Sequence, residues 1–181
     1  MTTKKKPKAP AVPLPEAVIN AEKAGKPRPD LLPAFGLLNA STSDDAPDAL
    51  VNLWIFRRDM NLGALGEAIG IVADQLGGWP AALEAGGRVM AYGYRKHGNC
   101  TWRVASTEQA DPQTHVASAE RHLIEHWADP AATEAGSGLP VLEHAFSQLL
   151  ILFDLVLDPP AVPNKNDGHG TVTGRVADAH R

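Results

Sequence analysis

Apolar positions recur along most of this chain at three- and four-residue spacing, the period that puts them on one face of a helix. Leu62, Leu65, Ile69, Val72, Ala73 and Leu76 form such a stripe, and Gly77-Gly78 supplies its stop. Before it, Val51, Leu53, Trp54, Ile55 and Phe56 run into Arg57, Arg58 and Asp59, as in a buried helix with a charged last turn. That run is short and rich in branched and aromatic residues, so a strand is the alternative. Pro80 opens a third segment with Leu83, Val89 and Met90 as core positions, ending near Gly93. Gly86-Gly87 inside it either weakens the helix or permits close packing.

Two stronger helices follow. Thr114 is placed to cap a segment through Val116, Ala119, Leu123 and Trp127 that stops before Pro130. The second starts near Pro140 and carries Leu142, Ala145, Phe146, Leu149, Leu150, Leu152, Phe153 and Val156, an apolar arc wide enough for a central bundle helix. No repeat and no alternating-strand section is present. The expected fold is all-α, a compact helical bundle.

The ends read differently. Residues 1–15 mix four lysines with Pro7, Pro10, Pro13 and Pro15, a composition expected of a solvated, disordered tail. From Asp158 to Arg181 the chain turns to Asp-Pro-Pro, Asn and Gly, expected of an irregular arm. One domain over 16–157 is therefore expected between them, since domains run to roughly 100–200 residues.

Charge narrows the function classes. Seventeen Lys and Arg against 21 Asp and Glu give the 181-residue chain a net charge of −4, against a general nucleic-acid binder. A single cysteine, Cys100, fits a reducing compartment. No apolar stretch approaches the roughly 20 residues of a membrane span, and the N-terminal lysines precede no signal-peptide core. A cytoplasmic location is expected.

Chemistry concentrates on the last two helical segments. His122, Glu125 and Asp129 share a face at i, i+3 and i+7, with His115 earlier on the same side. Carboxylates at such spacing can project into a bundle and hold a hard divalent cation; the plainer alternative is a solvated polar stripe. On the last helix Glu143, Ser147 and Asp154 lie roughly on one face, with His144 and Gln148 adjacent at i, i+4. A carboxylate inside so apolar a helix needs a cleft or an edge, because burying it unpaired is costly. Arg88, Arg95, Lys96, Arg103 and Arg121 surround Tyr92 and Trp102, a grouping suited to phosphate and an aromatic base or to surface ion pairs.

Four short blocks resemble a known family in consistent order. They are Gly25-Lys26-Pro27-Arg28-Pro29-Asp30-Leu31-Leu32-Pro33; Gly87 to Gly98 with Asn99 and Trp102-Arg103; Ala119-Glu120-Arg121-His122-Leu123; and Gly136-Ser137-Gly138-Leu139-Pro140 with His144-Ala145. The family is the phage-associated one named for dATP/dGTP diphosphohydrolases, similar to the MazG-like all-α nucleotide pyrophosphohydrolases. The resemblance implies cleavage of a purine deoxynucleoside triphosphate to monophosphate and pyrophosphate, with Mg²⁺ or Mn²⁺, in an oligomeric protein of a phage-infected host's cytoplasm. It implies Glu125, Asp129, Glu134 and Glu143 as metal or water-orienting groups, with Glu125, Glu143 and His144 counted as catalytic. Lys26, Arg28, Asp30, Lys96, Arg121 and His122 would hold the nucleotide and its phosphates, and Tyr92 or Trp102 would line the base pocket. The expected partner is thus a purine nucleotide, not a nucleic acid or a membrane, together with further copies of the chain.

The chain departs from the family pattern where the metal site is expected. Ala128-Asp129 replaces Gly-Glu, Gly136 takes an acidic position with Glu134 two residues earlier, Val141 replaces a histidine, and Gln148 an asparagine. These departures support a second reading, a degenerate relative that sequesters a nucleotide or nucleotide-derived signal. The stretch of about 34–79 falls outside the pattern and reads as an inserted helical pair, a lid, an oligomer surface or a partner-binding element.

Overall fold

The computed structural model describes residues 46–98, 101–104 and 107–161. Helix α1 (Asp48–Asp59) places Asp48 in its first turn and Arg57 and Arg58 in its last, each sign matched to the helix dipole. Met60 ends it with a left-handed φ of 52°, and the next residue, Asn61, caps α2 (Leu62–Gln75) by accepting the Ala64 N–H at 3.2 Å. Two glycines at positive φ, Gly77 and Gly78, then reverse the chain into α3 (Trp79–His97), with Pro80 in its opening turn.

Short 3-10 turns at Thr101–Arg103 and Glu108–Ala110 lead to α4 (Pro112–Ala128). A turn-rich loop then carries the chain to α5 (Val141–Leu157). The fold is all-α: among the described residues there is no strand beyond an isolated bridge between Thr133 and Pro140.

Helix α5 is the axis. It packs against α4, α3 and α2, while α1 lies on α2 and reaches α4. Leu50, Leu53 and Phe56 of α1 and Leu65 and Val72 of α2 share one buried cluster with Leu123, Phe146, Leu149 and Leu152. The helical pair is therefore a wall of the bundle, not a lid laid over it. A buried ion pair from Arg57 of α1 to Glu120 of α4 ties that wall down. None of the described helices is long and apolar enough to cross a membrane.

The strand alternative falls and two helix boundaries change. The run 51–56 is helical: the buried residues of α1 are Ala49, Leu50, Leu53, Trp54 and Phe56, a set spaced as one helix face and not alternating. Helix α3 passes Gly93 and stops at Gly98, whose φ of 88° only glycine adopts easily. Helix α4 starts at Pro112, with the Asp111 carboxylate capping the Gln113 N–H at 3.0 Å, and not at Thr114. Gly86 is the close-packing glycine: a methyl there would lie 3.3 Å from the Phe146 ring. The tail assigned to 1–15, the block at Gly25–Pro33, Cys100 and the arm beyond residue 161 lie outside the described residues.

Candidate active-site cleft

Helices α3, α4 and α5 and the two 3-10 turns enclose a cleft of about 480 Å³, within the range of small-molecule sites. Its walls are the C-terminal half of α3 (Tyr92 and Lys96), one face of α4 (His115, Ser118, Arg121 and His122) and one face of α5 (His144, Ser147, Gln148 and Ile151). Trp102 and Glu134 close it from the two loops. Helical periodicity explains the selection: 115, 118 and 122 recur along one side of α4, as 144, 147, 148 and 151 do along α5.

One end is charged. His122, Glu125 and Glu134 each offer a ligand atom, and those atoms lie within 4.8 Å of one another. The His122 ring is buried and its Nδ1 stands 3.4 Å from Glu125 Oε2 and 3.7 Å from Glu134 Oε2, with no hydrogen-bond partner. Its Nε2 lies 3.2 Å from Arg121 Nη2, which can only donate, so the neutral ring carries its proton on Nδ1. Burial holds the His122 pKa below its ordinary value. The His122 ring beside it, ahead of the Arg121 charge, holds the Glu125 carboxyl below the usual carboxylate range. Arg121 itself has a buried Nε with no hydrogen-bond partner, 3.8 Å from Glu125 Oε1. Burial also lowers the Lys96 pKa, and burial followed by the Glu134 charge raises that of Tyr92.

Glu134 reaches the cluster from a closed turn. Its N–H bonds the Leu139 carbonyl at 2.9 Å and its own carbonyl accepts the Gly138 N–H at 2.7 Å. Ser137 locks the turn onto α5: its hydroxyl accepts the Leu139 N–H at 3.1 Å and hydrogen-bonds with His144 Nε2 at 2.7 Å. The His144 ring in turn lies against His122, centroids 5.2 Å apart. The Tyr92 hydroxyl is buried at this wall with no hydrogen-bond partner among the described residues, and the Arg95 and Lys96 cations lie over the ring at 5.9 and 5.7 Å.

The structure thus gathers Glu134, His122, His144, Arg121, Lys96, Tyr92 and Trp102 around one cavity, with Glu125 beside His122 and Glu134 in the cluster. It does not bring Asp129 or Glu143 to the cluster. Asp129 follows the last residue of α4, exposed, where its carboxylate accepts the Ala131 N–H at 3.0 Å. Glu143 turns to Arg88, pairing through Oε1 at 2.7 Å and Oε2 at 3.2 Å, and so cross-links α5 to α3. Lys26, Arg28 and Asp30 lie outside the described residues. Arg103, counted among the basic cluster, is spent on Asp154 and Asp158. Ser137, Gln109 and the His115–Gln148 pair were not singled out as site residues. Their signal in the sequence was slight, a polar residue on each of two facing helix surfaces.

An all-α bundle with a mixed acidic and basic cleft belongs to the class of small-molecule sites built between helices. Residues 71–164 match the family model described as dATP/dGTP diphosphohydrolase, N-terminal, and the chain belongs to that family. No curated protein and no solved structure matches it. The matched stretch begins late in α2, so α1 and most of α2 precede it.

Proposed function

We propose that the chain is a metal-dependent pyrophosphohydrolase of purine deoxynucleoside triphosphates. Water attacks the α-phosphorus, the bond from that phosphorus to the oxygen bridging to the β-phosphate breaks, and monophosphate and pyrophosphate leave. The observation that carries this reading is the buried, unpartnered His122 Nδ1 facing two carboxylates at the charged end of a nucleotide-sized cleft.

Those donors suit a divalent cation. His122, Glu125 and Glu134 would hold it, and a mixed nitrogen and oxygen set favours Mn²⁺ over the all-oxygen shell Mg²⁺ prefers. Such an ion, when bound, neutralises phosphate charge and polarises the attacked phosphorus. A ring that ligates through Nδ1 carries its proton on Nε2, so Arg121 must release that nitrogen, which frees its guanidinium for phosphate oxygens. Lys96 adds a second cation on the opposite wall. Glu125, kept ionised by its neighbours, is suited to orienting the water and taking its proton. His144 Nε2 is already engaged by the Ser137 hydroxyl, which suits it to positioning the Glu134 turn.

A second reading, capture without turnover, is favoured by one observation: two of the four expected acids, Asp129 and Glu143, are engaged elsewhere. The deciding experiment incubates the protein with dATP or dGTP and Mn²⁺ and follows pyrophosphate release and nucleotide retention together. Release that disappears in Glu134→Gln supports the hydrolase. Retention of intact nucleotide without release supports capture.

A further inference from the structure

The cleft has a second end, beyond the His122–Glu125–Glu134 cluster. His115 and His122 stand seven residues apart on α4, about 10 Å along the axis at a 1.5 Å rise. That is the span from a nucleotide's phosphates to its base. Trp102, Ile151, His115 and Gln148 line this end, and Trp102 is fixed there by donating its indole N–H to Asp154 at 3.1 Å.

The hydrogen-bond direction at this end is set by the backbone. His115 is buried, and its Nε2 lies 2.7 Å from the Gln109 main-chain carbonyl oxygen, which can only accept. Nε2 therefore carries the proton, and in the neutral ring Nδ1 is an acceptor. The Gln148 carboxamide stands 2.6 Å from Nδ1 through its oxygen, Oε1. A carboxamide presents either its amide or its carbonyl after a half-turn, and only the amide satisfies an acceptor. Gln148 turned in this way keeps its carbonyl oxygen for the cleft.

We propose that Gln148 reads the base, accepting a hydrogen bond from its exocyclic amino group or ring N–H, and that His115 is the positioning residue that sets its orientation. The inference rests on the nucleotide reading of the cleft and deepens it. The ligand class is a purine nucleotide with a donor on its base edge: adenine offers its 6-amino group, guanine its N1–H and 2-amino group. A purine without these groups leaves the Gln148 oxygen unpartnered on binding, which costs the complex one hydrogen bond.

The test compares dATP, dGTP and the deoxyribonucleoside triphosphate of unsubstituted purine on the full chain with Mn²⁺, by equilibrium dialysis and by pyrophosphate release. The wild type is expected to favour the better of dATP and dGTP over the unsubstituted purine by about tenfold. Gln148→Met, similar in size without the polar group, is expected to erase that ratio. Gln148→Glu, whose oxygens still accept, is expected to keep it, and His115→Phe to shrink it while circular dichroism remains helical. Equal treatment of the three nucleotides by the wild type overturns the proposal, whether or not Gln148→Met folds. So does a ratio that survives in Gln148→Met. Should the wild type neither bind nor cleave any of them, the nucleotide reading itself falls, a result distinct from binding without discrimination.

Discussion

Arg88 grips both carboxylate oxygens of Glu143, at 2.7 and 3.2 Å, and so joins α3 to α5 just beside the cleft. The acid that the family resemblance marked as a metal ligand is thereby a strut. Glu143→Gln and Arg88→Ala should each lower the thermal midpoint, and the double variant should be no worse than the poorer single one. Additive losses in a melting series would contradict the pairing.

The cluster acids should behave differently from Asp129. Glu125→Gln and Glu134→Gln are expected to weaken Mn²⁺ binding, and any turnover, by about a hundredfold or more, with the helical fold retained. Asp129→Asn, at an exposed turn, should leave the affinity for Mn²⁺ as it is. Isothermal titration with Mn²⁺ separates the three, and equal losses in all of them would return Asp129 to the site.

Acid should destabilise the metal-free protein in two overlapping stages. His122 has its folded pKa below the unfolded value of about 6.5, so on acidification the unfolded chain takes up this proton first. Its share of stability is lost as the pH falls below that value. Glu125, also depressed on folding from 4.5, contributes stability that is present above 4.5 and lost as pH falls toward its folded pKa. Urea midpoints in EDTA should therefore decline from pH 7 to pH 4. His122→Gln should remove the upper part of that decline, and an unaltered profile would count against the buried neutral ring.

Neighbouring glycines in α3 should respond with opposite signs. Gly87 has open space where a methyl would go, so Gly87→Ala is expected to stabilise by about 0.5–1 kcal/mol through helix propensity. At Gly86 the same methyl meets Phe146 at 3.3 Å, in a ring that is fully buried and has Trp79 edge-on at 6.1 Å. The ring has little room to yield, and Gly86→Ala should destabilise by about 1 kcal/mol net. Chemical denaturation of the two variants side by side checks the contrast.

The helices were legible because their apolar positions repeat locally, and α5 could be recognised as central from its wide arc alone. Boundaries were less so: Asp111 and Thr114 are both good caps, and only Pro112 after the former decides between them. Half of the acid set was legible for the same local reason, Glu125 lying one turn from His122 on α4. Glu134 followed from a resemblance, since a loop residue has no period to announce it. What one-dimensional spacing cannot give is which charge meets which across helices. Glu143 is claimed by Arg88, 55 residues away, and His115 by Gln148, 33 residues away.

Helix α5 does two jobs with one set of turns, holding the α1–α2 wall on one side and lining the cleft on the other. Damage to the three-residue cluster leaves the bundle intact, whereas reshaping the cavity means rebuilding the helix on which everything else leans. Descendants of this chain can thus lose the cluster in a single substitution yet inherit the hole unchanged. Selection then has a ready-made cavity to work on, whatever becomes of the chemistry beside it.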